Sequence, residues 1–316
     1  MEPTVDVLSD ILNVIKMQST LSFRTAFWSP WGVDVPASPL VARFHAIIQG
    51  ECWLRLSTCP TPLLLQRGDV AVVPHGEAHL LSDTPSASVR PEPEHQVAAR
   101  GFCGAHTLAP DGLTPTTAPT TSMVCGYFRF DADVLHPLLG ALPATIHIQS
   151  GASHNHLWLA PLLGFLDAEA GSGHPGSEAI VQRVSEILFI QVIRAYLHTA
   201  GDQARCLAAI ADPSIGRALQ AIHRQPGLSW TLASLAKEAG LSRTRFATRF
   251  AQLMQLTPLQ YVTRWRMHKA KQLLRDTPSS LFDIAEQVGY HSEAAFSRVF
   301  KKHFHIGPGS YRRHSH

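Results

Sequence analysis

The sequence predicts an α+β chain, with a strand-rich half plus helices followed by an all-α half holding two helix-turn-helix units. Three observations carry this. First, the last third repeats itself: Ala236, Gly240, Ser242, Phe246, Phe250, Pro258 and Tyr261 are echoed by Ala285, Gly289, Ser292, Phe296, Phe300, Pro308 and Tyr311. The offset is 49 for the first two pairs and 50 for the others, so the second copy carries one extra residue between its Gly and its Ser. Each copy reads as helix, Gly-containing turn, helix. Second, charge divides the chain: from Asp212 onward there are 16 Lys and Arg against 6 Asp and Glu, and before it 11 against 18. A basic module fused to an acidic one fits a phosphate-facing part carried by a part that is not. Third, the region from about 20 to 82 consists of short apolar runs punctuated by Gly and Pro, the pattern of strands.

Residues 5–16 place Val7, Leu8, Ile11, Leu12 and Ile15 at helical spacing. Val41–Ile48, Cys52–Leu56 and Asp69–Val73 then read as strands. Residues 83–99 and 109–122 are rich in Pro, Ser, Thr and Ala and read as loops or partly disordered insertions. Met123–Phe130 reads as a further strand, and the chain turns helical after Leu135. His156–Ala170 and Ser177–His198 carry apolar stripes, the second through Ile180, Val184, Ile187, Leu188, Gln191 and Ala195. That stripe reads as core packing, with a dimer seam as the alternative. Five cysteines at irregular spacing form neither a disulfide framework nor a zinc signature. No run of about 18 apolar residues reads as a transmembrane helix, and an acidic N-terminus is unlike a signal peptide. The expectation is a cytoplasmic, reduced protein with no membrane partner.

In the basic half, Thr231 is the expected N-cap of the first unit, Gly240 its tight turn and Ser242 the cap of its second helix. At about 100° per residue, Phe246 and Phe250 mark the buried side of that helix. Thr244, Ala247, Thr248 and Ala251 then point away toward a major groove, while Arg243 and Arg245 lie near the helix start that Ser242 caps, where phosphate and base-edge contacts concentrate. In the second unit Phe296 and Phe300 are the anchors, and Ala294, Ser297, Arg298 and Lys301 face away. Arg298 suits a bidentate contact to guanine, and Lys301 and Lys302 suit phosphates. Leu259–Arg275 is a long connecting helix bearing Arg264, Arg266, Lys269, Lys271 and Arg275. A rigid connector of this kind holds two recognition helices roughly 34 Å apart, one DNA turn.

These residues resemble the DNA-binding domain of the AraC/XylS family of bacterial transcription regulators. The matches are Leu-Ala-Lys-Glu-Ala-Gly-Leu-Ser (235–242), Tyr261 with Arg266, Ala270, Leu273 and Leu274, and Ile-Ala-Glu-Gln-Val-Gly-Tyr (284–290). Phe-Ser-Arg-Val-Phe-Lys-Lys (296–302) and Gly-Pro-Gly-Ser-Tyr-Arg (307–312) complete them. One departure is Gln255 and His305, where the family usually has a helix-ending Gly.

Gly68–His79 is similar to the second sequence motif of cupin β-barrels, with Asp83 where the motif usually has Asn. Phe44-His45 and Gly50 sit where the first motif would be, but of its two His and Glu only His45 is evident. The resemblance implies a cupin-like sensor domain over 1–205, with a helical dimerisation segment, and a DNA-binding domain over 212–316. His45 and His79 are an incomplete metal site, so no catalytic metal and no cofactor are expected, with a regulatory metal held by the two as an open alternative. They are candidate effector contacts, with two His satisfied inside a barrel as the structural alternative. Cys125 joins them because some similar sensors respond to oxidants through cysteines. A buried structural Cys is its alternative, since nothing basic flanks it in sequence. His154-Asn-His156 and the C-terminal His-Ser-His are weak signals.

The expected function is sequence-specific regulation of transcription, with no enzyme activity. The expected partners are double-stranded DNA, RNA polymerase if the chain activates, a small-molecule or redox effector, and a second copy in a homodimer. A metal-dependent cupin enzyme with an accessory DNA module is the alternative, and it lacks a full ligand set. A DNA-repair methyltransferase needs a Cys in a Pro-Cys-His-Arg setting, which none of the five has.

Overall fold

The computed structural model describes residues 6–15, 18–59, 61–86, 90–100, 107–108, 118–130, 140, 142–152, 157–199 and 205–314. His154–His156 and the last two residues lie outside these. The chain divides into two units: the described residues of 17–131 and 142–200, and those of 1–16, 132–141 and 201–316.

In chain order the elements begin with α1 (Val7–Ile15), β1 (Gln18–Phe27), β2 (Gly32–Val35), β3 (Val41–Gln49), β4 (Glu51–Leu56), β5 (Leu63–Gln66), β6 (Val70–Val73), β7 (His79–Ser82) and β8 (Glu92–Pro93). They continue with α2 (Glu94–Arg100), β9 (Thr107–Leu108), β10 (Thr121–Arg129), β11 (Ile146–Ile148), α3 (Leu159–Ser172) and α4 (Ser177–Thr199). The helical run is α5 (Arg205–Ala211), α6 (Ile215–Arg224), α7 (Leu232–Ala239), α8 (Arg243–Met254), α9 (Pro258–Asp276), α10 (Leu281–Gln287), α11 (Glu293–Phe304) and α12 (Pro308–His314).

The sheet unit holds a six-stranded sheet ordered β11-β6-β3-β10-β1-β9 and a five-stranded one ordered β5-β4-β7-β2-β8. Side chains alternate faces along a strand, so one side of each sheet supplies the interior. Val33, Val35, Ile47, Cys52, Leu54, Leu65, Ala71, Val73, Leu81, Met123 and Cys125 meet there as one buried cluster. The opposite face of the six-stranded sheet is aromatic: Phe44 and Phe128 stack at 5.1 Å, and Phe128 meets Phe189 of α4 at 4.8 Å. Gly126 permits this, since a Cβ there would lie 2.6 Å from both the Phe44 ring and the Thr20 carbonyl.

The expected loop over 83–99 is corrected, because Glu94–Arg100 is helix. It is short, but Val97 is driven into the barrel cluster and anchors it. Of the expected insertion over 109–122, residues 109–117 lie outside the described residues, and Thr121 and Ser122 are instead the start of β10, with the Thr121 hydroxyl donating to the Glu51 carbonyl. The stripe of α4 also divides: Val184, Leu188 and Ala195 are buried, whereas Ile180 and Ile187 are exposed.

In the helical unit both copies of the repeat fold alike. Thr231 caps α7 in a capping box with Ser234, and Ser280 caps α10 in one with Asp283. Gly240 and Gly289 end the first helices with left-handed backbones, φ 66° and 83°. Leu241 N–H then donates to the Ala236 carbonyl, as Tyr290 N–H does to that of Ala285. The extra residue therefore falls after this shared turn, at His291, and Tyr290 packs against Phe296 and under Arg266. Phe246 and Phe250 are buried in the first unit. Phe296, Phe300 and Phe304 pack with Met267, Leu274 and Ile284 in the second.

Sequence order places α1 ahead of the strands, but its contacts are with α6 and α9. Asp10 accepts from His223 Nδ1 at 2.9 Å and from Lys269 Nζ at 2.9 Å. His223 Nε2 in turn accepts from the Tyr261 hydroxyl at 2.8 Å. Burial would raise the Asp10 pKa, but the His223 and Lys269 hydrogen bonds outweigh it and bring it below its ordinary value.

Candidate nucleic-acid interface and barrel core

The second helix of each unit begins on a serine cap. Ser242 Oγ accepts from Arg245 N–H at 3.4 Å, and Ser292 Oγ accepts from Ala295 N–H at 3.2 Å. With the Phe pairs holding one side of α8 and α11 in the core, the rest of each helix turns outward. Ser242, Arg243, Thr244, Arg245 and Thr248 are exposed on α8. Ala294, Arg298, Lys301 and Lys302 are exposed on α11, and Ser297 is half-buried.

Eleven of the basic residues of this unit fall into two groups. Arg249 bonds to Asp212, whose other oxygen caps the start of α6 through the N–H groups of Ser214 and Ile215. Arg217 donates to the Glu238 and Ala239 carbonyls at the end of α7. Arg266 donates to the carbonyls of Pro226 at 2.7 Å and Leu228 at 2.6 Å, and reaches that of Gly289. Lys269 pairs with Asp10 and Arg275 with Asp276, while buried Lys271 lies over the Phe304 and Tyr311 rings. Most of the cations on the connecting helix are thus structural, which the raw charge count conceals. Arg243, Arg245, Arg298, Lys301 and Lys302 form the second group. Among the described residues they make no side-chain hydrogen bond or ion pair within the chain.

In the barrel, register puts His45 opposite Cys125 across β3 and β10. His45 Nδ1 lies 3.0 Å from Cys125 Sγ, and His45 Nε2 lies 2.8 Å from His79 Nε2. His79 Nδ1 lies 2.7 Å from the Glu77 carbonyl, which only accepts. That fixes the tautomers. His79 donates from Nδ1, His45 donates from Nε2 to His79, and the Cys125 thiol donates to His45 Nδ1. Burial holds His45 well below its ordinary pKa and brings His79 down to about 4; it also pushes the Cys125 thiol up. All three groups are neutral. Nothing basic flanks Cys125 along the sequence, and the imidazole that meets it in space, His45, is neutral.

His45 spends both nitrogens within this chain, so one ion at its position meets two imidazoles at most. Among the described residues no group of three or more His, Cys, Asp or Glu side chains is placed to hold a metal ion. No described helix is long and apolar enough to cross a membrane.

Residues 6–198 match a family model described as a cupin, and residues 235–314 one described as a helix-turn-helix domain. A putative AraC-like transcription regulator of Streptomyces lividans is 32% identical over 314 residues, covering 98% of this chain and 99% of that protein. The chain belongs to the AraC family of transcription regulators. The transcriptional regulator AlkR of Acinetobacter baylyi is 30% identical across 98% of this chain and its own full length. Among solved structures, the DNA-binding domain of AdpA in complex with a target DNA is 27% identical, with a TM-score of 0.31. It covers 33% of this chain and 92% of that one. The two family matches and the full-length relatives make the protein a DNA-binding transcription regulator with an N-terminal cupin domain.

Proposed function

We propose that the chain reads two adjacent major-groove segments of one duplex, α8 entering the first and α11 the second. Residues 212–316 form the reading half and residues 1–205 the half that governs it. The observation that carries this is the division of the cations. Arg217, Arg249, Arg266 and Lys269 are bound to carbonyls or carboxylates, whereas Arg243, Arg245, Arg298, Lys301 and Lys302 stand exposed on the two helices the Phe pairs orient. Arg298 reads a base edge from mid-helix, with Ala294 and Ser297 beside it, and Ser242, Thr244 and Thr248 line the first contact face. The cupin half senses a signal and acts on DNA binding without a catalytic step. Ile180 and Ile187 of α4, with Phe165 of α3, offer an exposed apolar seam for a homodimer.

The test is binding of the full chain to a fragment of its own promoter, followed by fluorescence anisotropy. Arg298→Ala is expected to weaken specific binding by about 1–3 kcal/mol while leaving non-specific binding nearly intact. Unchanged specific binding would sink the assignment. A sedimentation series with Ile187→Glu tests the dimer, which is expected to dissociate.

A further inference from the structure

The barrel has a second polar layer above the histidines. On β3, Arg43 lies two residues from His45 and on the same face, and on β10 Tyr127 is its register partner. Two places further along β10 is Arg129. These three residues, with Glu94, His95 and Ala98 of α2, line a cleft of about 360 Å³ at the mouth of the barrel. That volume suits a small metabolite.

The charges in this cleft are unbalanced. Arg43 is 8% exposed and meets a single carboxylate, that of Glu94, which reaches only its Nη1. Its Nε is buried with no hydrogen-bond partner, so a guanidinium built for two parallel bonds makes one. Arg129 has no carboxylate among the described residues. Both guanidinium carbons sit 5.8 Å from the centre of the Tyr127 ring. Two cations, one buried and one exposed, therefore face one anion, and that anion is carried by a seven-residue helix whose Val97 plugs the barrel cluster. Leu21, Val41 and Ala98 supply an apolar wall.

We propose that this mouth is a binding site for a small organic monocarboxylate. The ligand's carboxylate takes the place of Glu94 on Arg43, pairs with Arg43 and Arg129 together, and lays its apolar body beside Tyr127. Glu94 is the built-in competitor, so occupancy works against the α2 contact and reports the ligand to the rest of the barrel. This deepens the reading of the cupin half as a sensor and rests on it for consequence, but not for binding.

The probe is hexanoate, with neutral hexanamide and inorganic phosphate as controls, titrated into the full chain by calorimetry. Hexanoate is expected to bind and hexanamide not. Arg129→Gln removes an exposed cation and is expected to weaken hexanoate by roughly tenfold, the worth of one charge-assisted contact. Glu94→Gln removes the competitor and is expected to tighten it severalfold. Equal binding of hexanoate and hexanamide, phosphate binding in preference to hexanoate, or no hexanoate binding even to Glu94→Gln each overturns the site. Promoter binding is measured in parallel to separate the two ideas. Hexanoate that binds at the mouth without altering DNA affinity leaves the site standing and removes the sensor reading. A DNA response to some other signal with no hexanoate binding does the reverse.

Discussion

Cys125 sits directly across the β3–β10 pair from His45, and its thiol donates to His45 Nδ1 over 3.0 Å. A Cys beside a His often signals a reactive thiolate, yet here the direction of the proton says otherwise. His45 is buried and neutral, and burial drives the thiol pKa upward rather than down. Cys52, in the same cluster, is pushed the same way. Cys59, by contrast, is exposed. The native chain treated with iodoacetamide near neutral pH is expected to be alkylated at Cys59 well before Cys125 or Cys52, which react only on unfolding. Peptide mass mapping over time checks the order. Early labelling of Cys125 would show that the thiol is open and ionised.

The same relay makes the barrel sensitive to acid. His79 titrates near 4 in the folded chain against 6.5 when unfolded, and His45 is depressed as well. Between those values the unfolded chain binds protons that the folded barrel refuses, so stability falls as pH drops from 6.5 toward 4. The depressed carboxylates Asp10, Asp69 and Asp212 lose their contribution as pH falls through the ordinary carboxylate range near 3.8 and below, so they add to the loss only at the acid end of this window. His223 has the same sign in the helical unit. The check is therefore comparative: thermal unfolding of His79→Gln is expected to show a shallower loss between pH 6.5 and 4 than the parent chain.

Much of the helical half was legible in the sequence because its signals are local. Caps at Thr231 and Ser242, turns at Gly240 and Gly289, and Phe pairs four residues apart each act within one or two helical turns. The barrel was legible only as strands. Which inward residues meet is set by register, and pairing His45 with Cys125 rather than a neighbour depends on bulges that no short window reveals. Arg43, Tyr127 and Arg129 escaped for the same reason. The roles of Arg266 and Lys271 were hidden differently. Both count as surface charge until the chain returns Pro226, Leu228 and Phe304 to their side.

Gln255 and His305 end α8 and α11 with left-handed backbones, φ 54° and 60°. For a residue with a Cβ that conformation costs roughly 1 kcal/mol, partly offset by its lower entropy when unfolded. Gln255→Gly and His305→Gly are each expected to stabilise the helical unit by up to about 1 kcal/mol. Denaturant midpoints check this, with promoter affinity unchanged.

Arg266 joins three segments through the carbonyls of Pro226, Leu228 and Gly289. Lysine keeps the charge but offers one nitrogen where a planar fork is needed. Arg266→Lys is therefore expected to cost about 2 kcal/mol of stability, since the orphaned carbonyls of Pro226 and Gly289 belong to half-buried residues. Arg245→Ala, on an exposed side chain without internal partners, is expected to leave stability within about 0.5 kcal/mol. Unfolding curves separate the two, and equal losses would remove the distinction between structural and free cations.

The two readouts are expected to differ in kind. α8 presents Arg243 and Arg245 at its start and Thr248 further along, where contacts to backbone and base edge mix. α11 presents Arg298, Lys301 and Lys302 from its middle to its last turn, so the second copy carries more charge along the groove. Each phosphate neutralised contributes about 0.9 to the slope of log affinity against log salt. Lys301→Gln with Lys302→Gln is then expected to lower that slope by about 2 while preserving preference among promoter sequences. Thr244→Ala with Thr248→Ala is expected to do the opposite, leaving the slope and relaxing preference in the half-site under α8. Salt titrations on the promoter fragment and on single half-site mutants measure both. A shared loss of slope by the two double variants would mean that the copies grip DNA in the same way.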